Sequence, residues 1–184
     1  MAALGLGTPE DFPFLDRPDV RLLNDGRRLL LELGAVDGDL RITRLGRQMA
    51  TLPVDPRIAR VLVEAARLAC LGEALVVAAF LSIQDPRERP SGSTQVAEER
   101  HAQLADDRSD FLTVLSLWRA AREAGAGGNR ALRRWCRANF LSYLRMRESQ
   151  DLHYQLRELM AAQGPGARDE PAPAARLHQA ILAG

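Results

Sequence analysis

The stretch from Ala74 to Ile83 reads ALVVAAFLSI, ten residues without a charge among them. It is about half the length that a membrane span requires, so it reads as a buried central helix. Ala, Leu and Arg abound and aromatic residues make up only 5% of the chain, a mix that favours helices over sheets. With 46% hydrophobic and 27% charged residues the chain fits an ordinary soluble globular protein. Its 184 residues suffice for one good-sized domain or two small ones packed together. The formal net charge of +1 says little as a total, so any nucleic-acid surface must come from local clustering.

Punctuation along the chain divides it further. Gly5, Gly7, Pro9, Pro13 and Pro18 mark the start as loop-like. Asp25 to Leu33 reads as a helix stopped by Gly34. Ala35-Val36 and Leu40-Arg41-Ile42 flank the tight-turn signal Asp37-Gly38 and are expected to form two short strands. Thr43 to Ala50 returns to a short helix, and this order suggests a winged-helix module. Asp55 and Pro56 suit the cap and first position of a helix that runs to about Ala69, with Gly72 separating it from the apolar helix. Gln84 to Ser93 is a proline-rich, charged loop, and Thr94 to Arg108 is a polar mixed segment. Ser109 caps a helix whose stripe is Phe111, Val114, Leu115 and Trp118, a core pattern. After the turn Ala124 to Asn129, one long helical stretch is expected from Arg130 to about Ala162. Gly164 to Pro173 is a linker and Ala174 to Ala183 a short terminal helix. The fold class expected is mainly α, a small winged-helix module followed by a helical bundle. The divisions are 1–19 (lead-in), 20–55 (winged helix), 56–163 (bundle) and 164–184 (linker and terminal helix).

The residues offer little to catalysis. No phosphate loop, GxSxG elbow, HExxH or Cys–His pairing is present. Cys70 and Cys136 lie far apart and read as buried reduced thiols. His101, His153 and His178 stand alone, without metal-ligand spacing. Met1 to Gly7 is too short for the core of a signal peptide, and the chain is expected to be cytoplasmic.

One feature stands out. Arg130, Arg133, Arg134, Arg137, Arg145 and Arg147 follow one another with no acidic residue between them. On one continuous helix, all but Arg147 share an arc of roughly 120°, with Leu132, Trp135, Cys136, Tyr143 and Met146 on the other side. Such a face neutralises phosphates with little regard for sequence. It equally suits a solvated stripe, or arginines paired with acidic neighbours. The loop Gln84-Asp85-Pro86-Arg87-Glu88-Arg89-Pro90 is the second candidate, since its prolines restrict how its polar side chains are presented; a structural crossover is the plainer use of the same residues.

An ordered series of strings carries a resemblance. It includes Phe12-Pro13-Phe14, Asp25-Gly26-Arg27-Arg28-Leu29-Leu30, Glu32-Leu33-Gly34-Ala35 and Leu45-Gly46-Arg47. Leu52-Pro53-Val54-Asp55-Pro56-Arg57 and Leu81 to Pro90 (LSIQDPRERP) are the most specific, and Ser109-Asp110-Phe111-Leu112, Tyr143-Leu144-Arg145 and Gln155-Leu156-Arg157 follow. Over nearly its whole length the chain resembles the region C-terminal to the second RecA-like domain of bacterial DEAH-box RNA helicases of the HrpA type. The resemblance implies a winged-helix domain and a ratchet-like helical bundle that pack on the motor and help enclose a channel for single-stranded RNA. It also implies that ATP and Mg belong to the RecA-like motor domains of a parent protein, with no cofactor in this chain, and that an OB-fold follows. No membrane partner is implied. Placed on those segments, the candidate RNA-binding residues are Gln84, Arg87 and Arg89 of the loop and Arg134, Arg137 and Arg145 of the basic face.

Some positions depart from the family pattern. Met1 coincides with what resembles an internal family position, Ser149 stands where a tryptophan is expected, and the stop at Gly184 fits a truncated frame. Two other functions compete with the helicase reading. A free-standing winged-helix regulator of duplex DNA would use Arg44 and Arg47. A helical protein-interaction scaffold would have no RNA role.

Overall fold

The computed structural model describes residues 2–9, 12–164 and 171–184. A 3-10 turn, Ala2–Leu4, precedes α1, Val20–Glu32. This helix begins earlier than the expected Asp25, because the Asp19 carboxylate accepts the Arg21 N–H at 2.7 Å and caps it. It ends where Gly34 turns left-handed at φ 70°, with the Ala35 and Gly34 N–H groups returning to the carbonyls of Leu30 and Leu31.

The two expected strands reduce to a single antiparallel bridge between Val36 and Ile42. The Asp37 carboxylate explains the shortfall. It accepts the N–H groups of Asp39 at 3.0 Å and Arg41 at 2.9 Å, so a side chain takes bonds that a ladder would otherwise make. Leu40, at φ 61°, completes the turn. Then comes α2, Arg44–Met49. Its cap, Thr43, donates to the Gly34 carbonyl at 2.7 Å and accepts the Gly46 N–H at 2.9 Å, tying the helix to the end of α1.

As expected, Asp55 and Pro56 start the next helix, α3 (Pro56–Arg67), with the Asp55 carboxylate accepting the Arg57 N–H at 2.8 Å. Gly72 is not the separator that follows. The chain turns at Ala69, φ 58°, and the Cys70 N–H returns to Ala65. Gly72 lies inside α4, Leu71–Leu81. That helix holds most of the ALVVAAFLSI run, and eight of its eleven residues are buried. It packs against α3 and three later helices, α6 (Asp110–Gly125), α8 (Tyr143–Ala162) and α9 (Ala174–Ile181). Phe80 of α4 meets Trp118 of α6 edge to face, with ring centroids 6.3 Å apart.

Part of the polar segment after the loop is helical, as α5, Thr94–Ala102. It buries only Ala97, which is why no apolar stripe announces it. Ser109 caps α6 as expected, and Leu115 and Trp118 of the stripe are buried. Phe111 and Val114 are partly buried against the same core.

The single long helix expected from Arg130 is two. The first is α7, Asn129–Ala138, and the second is α8. Between them Phe140 adopts φ 52°, and the Leu141 and Phe140 N–H groups return to the carbonyls of Cys136 and Arg137. This is the same helix-closing pattern as at Gly34, built on a phenylalanine. Of the expected linker 164–173, residues 165–170 lie outside the described residues, as do Met1, Glu10 and Asp11 of the lead-in. The terminal helix α9 packs on α3 and α4, burying Leu177 and Ala180. Cys70 and Cys136 are free and buried. Ser149 is fully buried and its hydroxyl donates to the Met146 carbonyl at 2.8 Å. Among the described residues no helix is long and apolar enough to cross a membrane.

Candidate nucleic-acid interface

The break between α7 and α8 rearranges the arginines. Arg130, Arg133, Arg134 and Arg137 lie on α7, where helical spacing places them within roughly 100° of arc. Leu132 and Cys136 occupy the opposite, buried face. Arg145 and Arg147 belong to α8, so the five-arginine face of a continuous helix does not form. Tyr143 and Met146 likewise leave that wheel.

What forms instead joins the two candidate segments. The loop between α4 and α5 runs alongside the α7–α8 turn, and Arg87 and Leu141 make an antiparallel bridge. The Glu88 N–H donates to the Phe140 carbonyl at 2.8 Å, and the Ser142 N–H donates to the Pro86 carbonyl at 2.8 Å. From α8, the Arg145 guanidinium donates to the Asp85 carbonyl at 2.9 Å. Proline and backbone pairing together hold the loop against the turn.

These contacts sort the six candidate residues. Arg87 is engaged inside the loop, donating from Nε to the Asp85 carboxylate at 3.0 Å and from Nη2 at 2.8 Å. Burial pushes the Asp85 carboxyl upward, but the hydrogen bonds and charge of Arg87 outweigh it and hold the group below the usual carboxylate range. Arg145 is committed to the loop backbone, as above. Gln84, Arg89, Arg134 and Arg137 are exposed, and the charge of Arg89 helps hold the Asp85 carboxyl down. Gln84 and Arg89 therefore stand on a fixed loop, and Arg134 and Arg137 on the exposed side of α7.

Between loop and turn lies a groove of about 490 Å³ lined by Glu88, Arg133, Cys136, Arg137, Phe140, Leu141, Ser142 and Tyr143. The Arg133 guanidinium carbon sits 4.6 Å from the centroid of the Tyr143 ring, a cation–π stack at the groove wall. Burial pushes the Cys136 thiol up to about 11, so this lining residue is no reactive thiolate. The groove thus combines arginines, aromatic rings and one carboxylate. Such a surface neutralises phosphates and offers flat faces to unpaired bases. The acid-free run of arginines that begins at Arg130 was the legible signal for it. Glu88 was visible in the proline-bounded loop and Tyr143 in the Tyr143-Leu144-Arg145 string, but their meeting in one groove depends on the turn and was not.

A second cavity, of about 230 Å³, lies under α1 and α2 and is lined by residues such as Leu30, Ile42, Met49 and Val54. Its lining includes no titratable side chain. Here α2 spans six residues, and Arg47 donates to the Ile42 carbonyl at 3.3 Å. Among the described residues no group of His, Cys, Asp and Glu is placed to hold a metal ion.

Residues 27–54 match the winged-helix part of the helicase associated domain (HA2), and residues 55–143 match its ratchet-like part. The boundary between them falls at the Asp55 cap of α3. Together with the relatives that follow, these matches show that the chain belongs to the helicase-associated C-terminal region of HrpA-type DEAH-box helicases. It is 45% identical over 190 residues to the ATP-dependent RNA helicase HrpA of Escherichia coli (strain K12), an alignment covering 100% of this chain and 15% of that protein. It is 43% identical over 192 residues to the HrpA homolog of Haemophilus influenzae, again covering 100% of this chain and 15% of the relative. The pre-mRNA-splicing factor ATP-dependent RNA helicase prp22 of Schizosaccharomyces pombe is 31% identical over 160 residues, covering 87% of this chain and 13% of its own length. The chain therefore spans about 15% of the length of the two bacterial relatives.

Proposed function

We propose that this chain is the accessory RNA-channel unit of an ATP-dependent DEAH-box RNA helicase. In this reading it is non-catalytic by itself, packs on the RecA-like motor domains beside an OB-fold, and contacts single-stranded RNA. ATP and Mg act in the motor. The observation that carries the reading is the groove, where the loop and the α7–α8 turn are pinned together by backbone pairs in a chain of this family. Arg134 and Arg137 contact phosphates, and Gln84 and Arg89 reach the strand from the loop. Arg87 and Arg145 contribute by holding the loop in shape. Bases are read little, because grip through the backbone suits movement along any sequence. Apolar Leu15, Val20, Leu22 and Leu31 are exposed at and just before α1, and this surface suits packing on the motor.

Photo-cross-linking tests the reading. The chain is irradiated with an oligouridylate carrying 4-thiouridine, and the adducts are mapped by mass spectrometry. Adducts concentrated in residues 84–90 and 129–143 are expected. Adducts confined elsewhere, or none at low salt, would overturn the groove as the RNA surface.

A further inference from the structure

The groove depends on a helix that contributes none of its lining. The helix α5 buries a single residue, Ala97, and is held by little apolar contact of its own. From its C-terminal end, His101 Nε2 lies 3.1 Å from the Phe140 carbonyl oxygen. That oxygen also accepts the Glu88 N–H at 2.8 Å. A carbonyl only accepts, so Nε2 carries the proton and donates, and the two bonds occupy both lone pairs of the oxygen. The other ring nitrogen, Nδ1, is buried and has no hydrogen-bond partner among the described residues, which leaves Nε2 as the ring's hydrogen-bonding atom there.

The carbonyl in question belongs to the residue where the chain turns left-handed between α7 and α8, φ 52°. One atom thus joins α5, the proline-bounded loop and the α7–α8 turn. We propose that His101 is a positioning residue for the RNA groove. By donating to the Phe140 carbonyl it keeps the loop and the turn in register, and so sets where Arg89 and Arg137 stand relative to each other. This inference rests on the groove being the RNA surface. It adds a residue that stands behind the groove's lining and acts on it through Phe140.

Three substitutions separate donation from bulk. His101→Phe keeps the ring volume and removes the donor. His101→Asn keeps an amide that is too short to reach. His101→Gln places an amide N–H near the position of Nε2. Each chain is followed by circular dichroism, by amide hydrogen exchange at Glu88 and Ser142, and by anisotropy of a labelled oligouridylate. His101→Phe and His101→Asn should speed exchange at both amides and weaken RNA binding, each by roughly 3- to 10-fold, the scale of one lost hydrogen bond. His101→Gln should stay within about 2-fold of the parent chain in both. Unchanged exchange in the Phe and Asn variants, or a Gln variant as impaired as they are, overturns the latch. Faster exchange with unchanged RNA affinity overturns its role in positioning. Arg137→Ala, measured alongside, isolates the underlying reading: if that variant binds RNA as the parent chain does, the groove assignment fails and this inference falls with it.

Discussion

His153 of α8 lies in the core, 8% exposed, its ring 4.7 Å from that of Trp118 between centroids, with Nδ1 unpartnered among the described residues. Burial drives its pKa down to about 4, and the charges of Arg157 and Arg122 push the same way. The folded chain therefore holds the imidazole neutral where an unfolded chain, titrating near 6.5, already takes a proton. The stability that follows is complete above about pH 6.5 and declines as the pH falls toward about 4. The energy at stake is on the order of 3 kcal/mol. Thermal denaturation between these pH values should show a falling melting temperature in the parent chain and a flatter profile in His153→Leu. Identical profiles would show that the imidazole does not govern acid sensitivity.

Among the described α-helices α2 is the shortest, and Gly46 lets it lie close against the chain before it. At Gly46 a Cβ would run into the carbonyl oxygen of Ala35, and the Ile42 side chain lies close by. Backbone cannot give way as a flexible side chain does. Gly46→Ala should therefore cost about 3 kcal/mol, as overpacking does, and urea unfolding would measure it. Gly26, in contrast, has open space around its Cβ position, and Gly26→Ala should not destabilise. Cost in the second and none in the first would contradict this packing. Helix starts and stops were legible at Asp55-Pro56, Ser109 and Gly34, but not at Asp19, whose carboxylate caps α1 ahead of the expected start at Asp25. Two corners were not, because the left-handed residue that makes the turn is Ala69 or Phe140 where glycine would have announced it. An L-residue there costs about 1–2 kcal/mol, a cost offset by the packing that the turn permits. The helix α5 was missed for a different reason: Ser93 makes no side-chain cap bond, and only one helix residue is buried. Within the site, the loop and the arginine run were each visible as local patterns. Their pairing was not, since the bridge between Arg87 and Leu141 joins distant parts of the chain. That pairing also brings the Asp85 carbonyl within reach of the Arg145 guanidinium, at 2.9 Å.

At the scale of the whole molecule, the uncharged run that constrains the fold occupies its centre. The helix α4 is enclosed by α3, α6, α8 and α9, and this enclosure carries the loop that leaves its C-terminal end to the α7–α8 turn. The apolar axis and the basic groove are thus consecutive in the chain, and the rigidity of the first positions the second. We propose that Arg134 and Arg137 grip RNA phosphates at that groove's edge. The most direct measurement of that grip is the affinity of the chain for oligouridylate as a function of salt, with and without Arg134→Ala and Arg137→Ala together. The parent chain should bind with a dissociation constant on the order of 10⁻⁴–10⁻⁶ M, weakening steeply as salt rises. The double variant should bind more weakly, with a salt slope shallower by about 1.4, two single-strand phosphate contacts at about 0.7 each. Equal affinities and parallel slopes would contradict the account.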